Sequence, residues 1–292
     1  MPKGLREIRN RIKSVKSTGQ ITRAMQLVAS SKMKRAQDSA RAGRAYAELL
    51  GEILDTAQAK VGEFSHPLLT KRDVKVRGIL LVTPDKGMAG ALNGNLIRLA
   101  AEQKDAVFVC IGRKGAQALA RSGRKVLADF PVTDRATFNE VRPAAEYLIK
   151  AFTEGTVDTV EVLFAHFKNT MVQTPRVQQL LPADSLVNQA REFRAKLGLP
   201  EPKVEDDERD MLFEPSAAAI LNQLPALFFK QAVHQAVLES KASEFSARMV
   251  AMKAATDNAK KISAALSLEY NKARQAAITQ EILELTAGAA AQ

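Results

Sequence analysis

The sequence predicts an α/β protein: a long coiled coil of an N-terminal and a C-terminal helix, plus a Rossmann-like, mainly parallel α/β domain. Two observations lead there. Both ends of the 292-residue chain are long polar stretches nearly free of Gly and Pro, with apolar or small residues three and four apart. Between them, short apolar runs alternate with helical patterns, the order expected of parallel strands joined by crossover helices.

From Leu5 to Val61 there is no Pro, and Gly occurs only at 19, 43 and 51, so residues 1–61 read as one helix. Ile8, Ile12 and Val15 form one apolar stripe; Ile21, Met25 and Val28 form another. The second is displaced by one residue across "STGQ", so the two are not expected to share a strict heptad seam. The stretch "ITRAMQLVASSKMKRAQ" (Ile21–Gln37) also carries Arg23, Lys32, Lys34 and Arg35.

The α/β domain is placed at 74–200. Val74–Val82, Ala106–Gly112 and Val157–Phe167 read as buried strands, with "KVLADF" a shorter one. Helices are expected around Asn95–Gln103, Lys114–Ser122 and Asn139–Phe152, and "TPRVQQLLP" as a hairpin neighbour of the last long strand. Residues 201–215 read as a polar loop.

The remainder, 216–292, reads as the second long helix. Ala226 to Ala287 has neither Gly nor Pro and would extend about 90 Å at roughly 1.5 Å per residue. Phe245, Met249, Met252, Thr256, Ala259, Ser263, Leu266, Tyr270, Ala273 and Ala277 alternate steps of four and three, a heptad seam thin in bulk. Its partner is expected to be the N-terminal helix; the plainer alternative lays both helices on the central domain.

Composition narrows the function. Residues 1–44 hold twelve Lys and Arg against two acids, and so carry nearly all of the net charge of +11. Residues 201–214 lean the other way, with seven acids against two bases. The longest apolar runs are far short of the ~20 residues a membrane span needs. The basic start has no apolar signal core, which points to a cytosolic protein. Cys110, alone in an apolar run, is expected to be a buried, inert thiol. His66, His166 and His234 have no ligand spacing and read as structural.

Chemistry is sparse. "TPDKGMAGALNGN" (Thr83–Asn95) sits where a doubly wound fold holds phosphate, but its spacing is neither GxGxxG nor GxxxxGK[ST]. Gly87 and Gly90 therefore read as a tight turn, with a nucleotide site as the sharper alternative. No nucleophile–base pair or carboxylate dyad is apparent, and no catalytic residue, metal ligand or cofactor is expected. The basic helix raises nucleic-acid binding. Against it, residues 1–60 contain one aromatic, Tyr46, to stack on bases. A solvated face or an acidic protein partner are the other readings.

Three motifs carry a resemblance: "IRNRIKSVKSTGQITRAMQLVASSKMKRA" (Ile8–Ala36), "ESKASEFSARMVAMKAATDNA" (Glu239–Ala259) and "YNKARQAAITQEILELTAGAAA" (Tyr270–Ala291). Together with "QTPRVQQLLP" they resemble the gamma-subunit family of the rotary F-type ATP synthases, in order along the whole chain. The chain departs in its first βα turn, where Met88 and Ala89 stand in the family's D-R/K-G-L-C-G pattern.

The resemblance implies a left-handed antiparallel coiled coil inside a hexameric ring of alpha and beta subunits. The α/β body would rest on the epsilon subunit and the c-ring, with membrane contact only through the complex and no nucleic acid. It implies a bacterial, non-catalytic rotor at the cytoplasmic face of the inner (plasma) membrane. Position by position, Arg274 and Gln275 match beta-subunit contacts, and Met25 lies on the stretch facing acidic loops of beta. Arg248, Thr279 and Glu281 match positions that support coupling; Phe213 and Glu214 match the foot near the c-ring. The plainer alternatives are seam packing for Met25 and Thr279, a solvated charge for Arg274, and local core for Phe213.

Overall fold

A computed structural model of the chain describes residues 3–61, 66–182 and 216–290. The element order is α1 (Lys3–Val61), β1 (Arg77–Val82), α2 (Leu92–Glu102), β2 (Ala106–Ile111), α3 (Arg113–Arg121), β3 (Val126–Phe130), α4 (Phe138–Thr153), β4 (Thr159–Phe167), β5 (Gln173–Leu181) and α5 (Ala217–Ala290). Two compact units result. One runs from Ser31 to Ala247; the other joins the residues up to Ser30 with those from Arg248 onward.

In the unit from Ser31 to Ala247, five strands form one sheet in the order β3-β2-β1-β4-β5. β1 pairs in parallel with β2 and β4, and β2 with β3; β5 returns antiparallel along β4 as the expected hairpin partner. The central strands are buried on both faces, which is why they read as unbroken apolar runs rather than alternating ones. Ile79, Leu81, Phe108 and Cys110 pack under Leu92, Leu96 and Ala100 of α2 and Leu119 of α3. On the opposite face Leu80, Val82, Val109 and Ile111 meet Val141, Ala145, Leu148 and Phe152 of α4. α4 is started by Glu140, whose carboxylate accepts the Thr137 N–H at 2.9 Å and so satisfies a donor the helix cannot.

The second face is also covered by α5. Leu224, Phe228, Phe229, Val233, Ala236 and Val237 join the α4 cluster, all of them buried. The expected second long helix thus begins with a sheet-packing part, up to Val237 and Leu238, ahead of the heptad seam that starts at Phe245. α5 also begins upstream of the Gly- and Pro-free stretch and carries Pro225 inside it. Two turns into the helix the ring removes one i→i−4 bond, and its buried surroundings here hold the helix together across it.

In the other unit, α1 and α5 pack directly on each other. The Thr22 and Thr256 hydroxyls lie 2.8 Å apart and both residues are buried. A Cβ added at Gly19 would stand 3.3 Å from the Ala259 Cβ. Three residues forward on α1 are three residues back on α5, so the pairing is antiparallel. Extending this register sets Val15 against Ser263, Ile12 against Leu266, Ile8 against Tyr270 and Leu5 against Ala273, and all eight are buried or half-buried. The α5 seam is the one expected from its heptads.

The α1 seam is not. Gly19, Thr22, Gln26 and Ala29 are buried or half-buried and continue the 3–4 spacing of Ile8, Ile12 and Val15 without a break. Ile21 and Val28 are 58% and 55% exposed. The expected break across "STGQ" is therefore absent, because the seam runs on through small and polar residues while the apolar pair points outward. Gly, Thr and Ala let the backbones come close, and dispersion over short distances replaces bulk.

Candidate functional site

The surface that this pairing leaves uncovered is mixed. On α1 the exposed Arg9, Lys13, Lys16 and Arg23 are interleaved with exposed Ile21, Leu27 and Val28. Met25 is half-buried at the edge of the seam. By helical spacing Leu27 shares the side of Arg9, Lys16 and Arg23, whereas Ile21 and Val28 lie on the other flank of the seam, so exposed apolar groups occur on both sides. Sequence reasoning placed Ile21 and Val28 in a seam stripe and passed over Leu27. The usable signal was the uninterrupted 3–4 spacing through Gly19 and Thr22, which already filled the seam.

Toward its C-terminal end α5 reaches the level of the described start of α1. Leu5, opposite Ala273 in this register, is close to the described start of α1 at Lys3. Past that level Arg274, Gln275, Ile278, Thr279, Glu281, Ile282 and Leu283 are all exposed. The Thr279 hydroxyl donates to the Gln275 carbonyl at 3.0 Å, one turn back. Arg274 and Gln275 thus lie opposite the first described residues of α1, Gly4 and Lys3, with Thr279 and Glu281 one to two turns further along α5. Met25 lies elsewhere, about 30 Å away along the pair at roughly 1.5 Å per residue. Arg248 falls near the level of Met25, across from Ser30. The structure therefore gathers the carried-over positions into two groups, not one. Phe213 and Glu214 lie outside the described residues.

The Gly-rich turn after β1 is filled by the chain itself. Asp85 Oδ1 accepts the Arg113 N–H at 2.9 Å, Pro84 O accepts that of Lys114 at 3.3 Å, and Thr83 Oγ1 that of Gly115 at 2.8 Å. These are the first amides of α3, the helix that follows β2, so the start of the turn after β1 is spent on capping its neighbour. The two loops also press together. Gly112 has φ 99°, and a Cβ there would fall 1.8 Å from the Thr83 carbonyl oxygen. Met88 and Gly90 take left-handed conformations, φ 63° and 57°, as a tight turn requires.

Elsewhere the titratable groups serve the fold. Burial pushes the Cys110 thiol up to about 12, so little thiolate forms at neutral pH. Glu161, inside the sheet, is held by two nitrogens of Arg77, with Nε at 2.8 Å. Among the described residues no group of three or more His, Cys, Asp or Glu is placed to hold a metal ion. None of their helices is long and apolar enough to cross a membrane.

Comparison with known proteins places this geometry. A family model described as ATP synthase matches residues 4–292. The ATP synthase gamma chain of Opitutus terrae is 52% identical over 283 residues, covering 97% of this chain and 96% of its own length. The ATP synthase gamma chain of Akkermansia muciniphila is 44% identical, covering 97% of each. Among solved structures, a chain of the Euglena gracilis mitochondrial ATP synthase in its OSCP/F1/c-ring assembly has a TM-score of 0.65 at 19% identity. That match covers 100% of this chain and 95% of the other, and it is a likeness of fold. With paired terminal helices, a five-stranded sheet and relatives matched over nearly their whole length, this chain belongs to the ATP synthase gamma-chain family.

Proposed function

We propose that the chain is the central-stalk rotor of a proton-translocating ATP synthase. It would couple rotation of the c-ring to the conformational cycling of catalytic beta subunits, without catalysing a reaction itself. The observation that carries this reading is the antiparallel pairing of Gly19 and Thr22 with Ala259 and Thr256, which makes one two-stranded element of the chain's two ends. Such an element can turn as a body, and its sides differ. Each beta subunit would meet a different side as the rotor turns. A site that binds one side better is shifted toward the conformation that fits it, so rotation and nucleotide affinity become linked.

On this reading the outward face of α1 slides past acidic loops of beta. Exposed, screened attractions suit a moving surface, because a tight contact would have to be broken at each step. Met25 lies on that face. Arg274 and Gln275 would contact beta near the C-terminal end of α5, while Arg248, Thr279 and Glu281 would support coupling. Phe213 and Glu214 would belong to a foot near the c-ring and the epsilon subunit. The complex would hold the chain, as a peripheral subunit, at the cytoplasmic face of a bacterial inner membrane.

Purification of the tagged chain from a native membrane fraction tests this directly. Alpha and beta subunits in stoichiometric amounts, with epsilon and the c-ring in mild detergent, are expected. Recovery of nucleic acid at low salt without those subunits would overturn it.

A further inference from the structure

A rotor must resist twisting between the part that is driven and the part that does work, and one short stretch of α5 is built for that. All seven residues from Ser240 to Ser246 are buried, none more than 5% exposed. A helix buried on every side is ordinarily apolar. Here five of the seven are Ser, Lys or Glu, and four of these five make the polar contacts that follow. Ser243 Oγ donates to the Ala165 carbonyl of β4 at 2.8 Å. Ser246 Oγ donates to the Thr170 carbonyl at 2.7 Å and accepts from Gln173 Nε2 at 3.4 Å. Lys241 and Glu244, on another side of the helix, approach to 3.6 Å.

The neighbouring stretch of α1 is tied in as well. Met33 and Ala36 pack with Ala242, Phe245 and Phe167. The Lys32 ammonium pairs with Asp134, in the segment between β3 and α4, and stands 5.8 Å from the centre of the Phe245 ring.

We infer that Ser243 and Ser246 of α5, with the Lys32–Asp134 pair of α1, form a torsional key that locks the two long helices to the α/β sheet against rotation about their own axes. Directionality separates polar from apolar contacts here. Apolar side chains in contact have nearly the same energy after a small rotation, so a greasy collar would slip. Hydrogen bonds prefer angles above about 150° and weaken steeply below about 120°. Turning α5 within its collar would break the serine bonds and leave buried donors and carbonyls without partners, at far greater cost. The helices continue unbroken past Ser30 and Arg248, so a grip on this stretch passes twist along them. Ser243 and Ser246 are three apart and face the sheet together.

This inference rests on the rotor reading, and the test separates the two. The complete complex is held by its ring, arrested with a non-hydrolysable nucleotide. A bead is attached to the α/β domain through Arg121→Cys, an exposed position on α3. The width of the bead's angular fluctuations reports torsional stiffness. The Ser243→Ala/Ser246→Ala variant should widen them about twofold, since the directional part of the grip is gone. Ser267→Ala, which removes a bond from Ser267 only to its own helix at Ser263, should not. Lys32→Asp should widen them too, and the exchange Lys32→Asp/Asp134→Lys should narrow them again; this charge pair decides the matter if the serine variant fails to assemble. Unchanged widths in a complex that still rotates with ATP would overturn the key and leave the rotor reading standing. Equal widening by Ser267→Ala, or no recovery on charge exchange, would also overturn it. A complex that forms but does not rotate would overturn both.

Discussion

Thr22 and Thr256 are 234 positions apart in sequence, and their hydroxyl oxygens lie 2.8 Å apart in the seam between the terminal helices. Each also has a carbonyl of its own helix within reach, Gly19 O at 3.1 Å for Thr22 and Met252 O at 2.8 Å for Thr256. Removing one hydroxyl therefore leaves the other with a partner. Thr22→Val and Thr256→Val should each cost about 1 kcal/mol. The double variant should cost clearly less than the sum, because the two share one bond. Chemical denaturation of the four chains checks this, with strict additivity as the outcome that contradicts the contact.

Ile21 and Val28 separate the observed seam from the one their apolar character suggests. Both are more than half exposed, so Ile21→Ser and Val28→Ser should change the stability of the isolated chain by no more than about 0.5 kcal/mol. Assembly with alpha and beta subunits should fall sharply, since the apolar surface is held for them. Loss of stability comparable to a core truncation, about 2–5 kcal/mol, would mean that they are seam residues after all.

The difference between these two pairs shows what could be read from the sequence. All five strands and the three central helices appear close to where apolar runs and helical spacing put them, because buried parallel strands and amphipathic helices leave strong periodic signals. The α5 seam was legible for the same reason. The α1 seam was obscured by composition: Gly19, Thr22 and Gln26 carry the right spacing but no hydrophobic signal, while Ile21 and Val28 carry the signal on the wrong side. Close backbone approach, which makes small residues valuable, is a property of two helices together and is invisible in one. The change of role within α5 was partly visible, since "ALFFKQAVHQAVL" is far richer in apolar residues than the C-terminal remainder of that helix. Of the carried-over site positions, Arg274, Gln275, Thr279 and Glu281 were found by resemblance alone; nothing in their spacing marks a contact.

Acid should weaken the fold in two separate steps. Burial holds His234 below the usual imidazole range, only partly offset by its 2.8 Å hydrogen bond to the Ala136 carbonyl. His66 is lowered by burial in the same way. The unfolded chain then binds protons more readily than the folded one, so stability is complete above about pH 6.5 and declines as pH falls below it. Carboxylates such as Asp158, held low by the amides of Val76 and Lys75, add their loss only below about pH 4. Thermal unfolding across this range should show the first decline, and His234→Gln should flatten it while keeping a donor for Ala136. An unchanged slope in that variant would remove His234 from the account.

Arg274→Ala/Gln275→Ala should leave the isolated chain as stable as before, since both side chains are exposed. In the complex, a charge-assisted contact worth about 1.5–3 kcal/mol would be lost, enough to alter coupling about tenfold or more. ATP hydrolysis and proton pumping measured together check this. Unchanged values for both would show that these positions do not touch beta.

The central claim is that the two terminal helices turn as one body, and a single disulfide tests it. Gly19 and Ala259 are suited to the bridge, because the added Cβ lies 3.3 Å from its partner, close to the ~3.8 Å mean separation in disulfides. Cys110 is buried with its thiol pushed up to about 12, and should not compete. ATPase rate and proton pumping are measured in the Gly19→Cys/Ala259→Cys complex, oxidised and then reduced. Full activity in both states is expected, whereas a bridge from Ile21→Cys to the stationary ring should stop turnover until it is reduced. If the intrachain bridge abolishes activity and reduction restores it, the helices move against each other and are not one rotor.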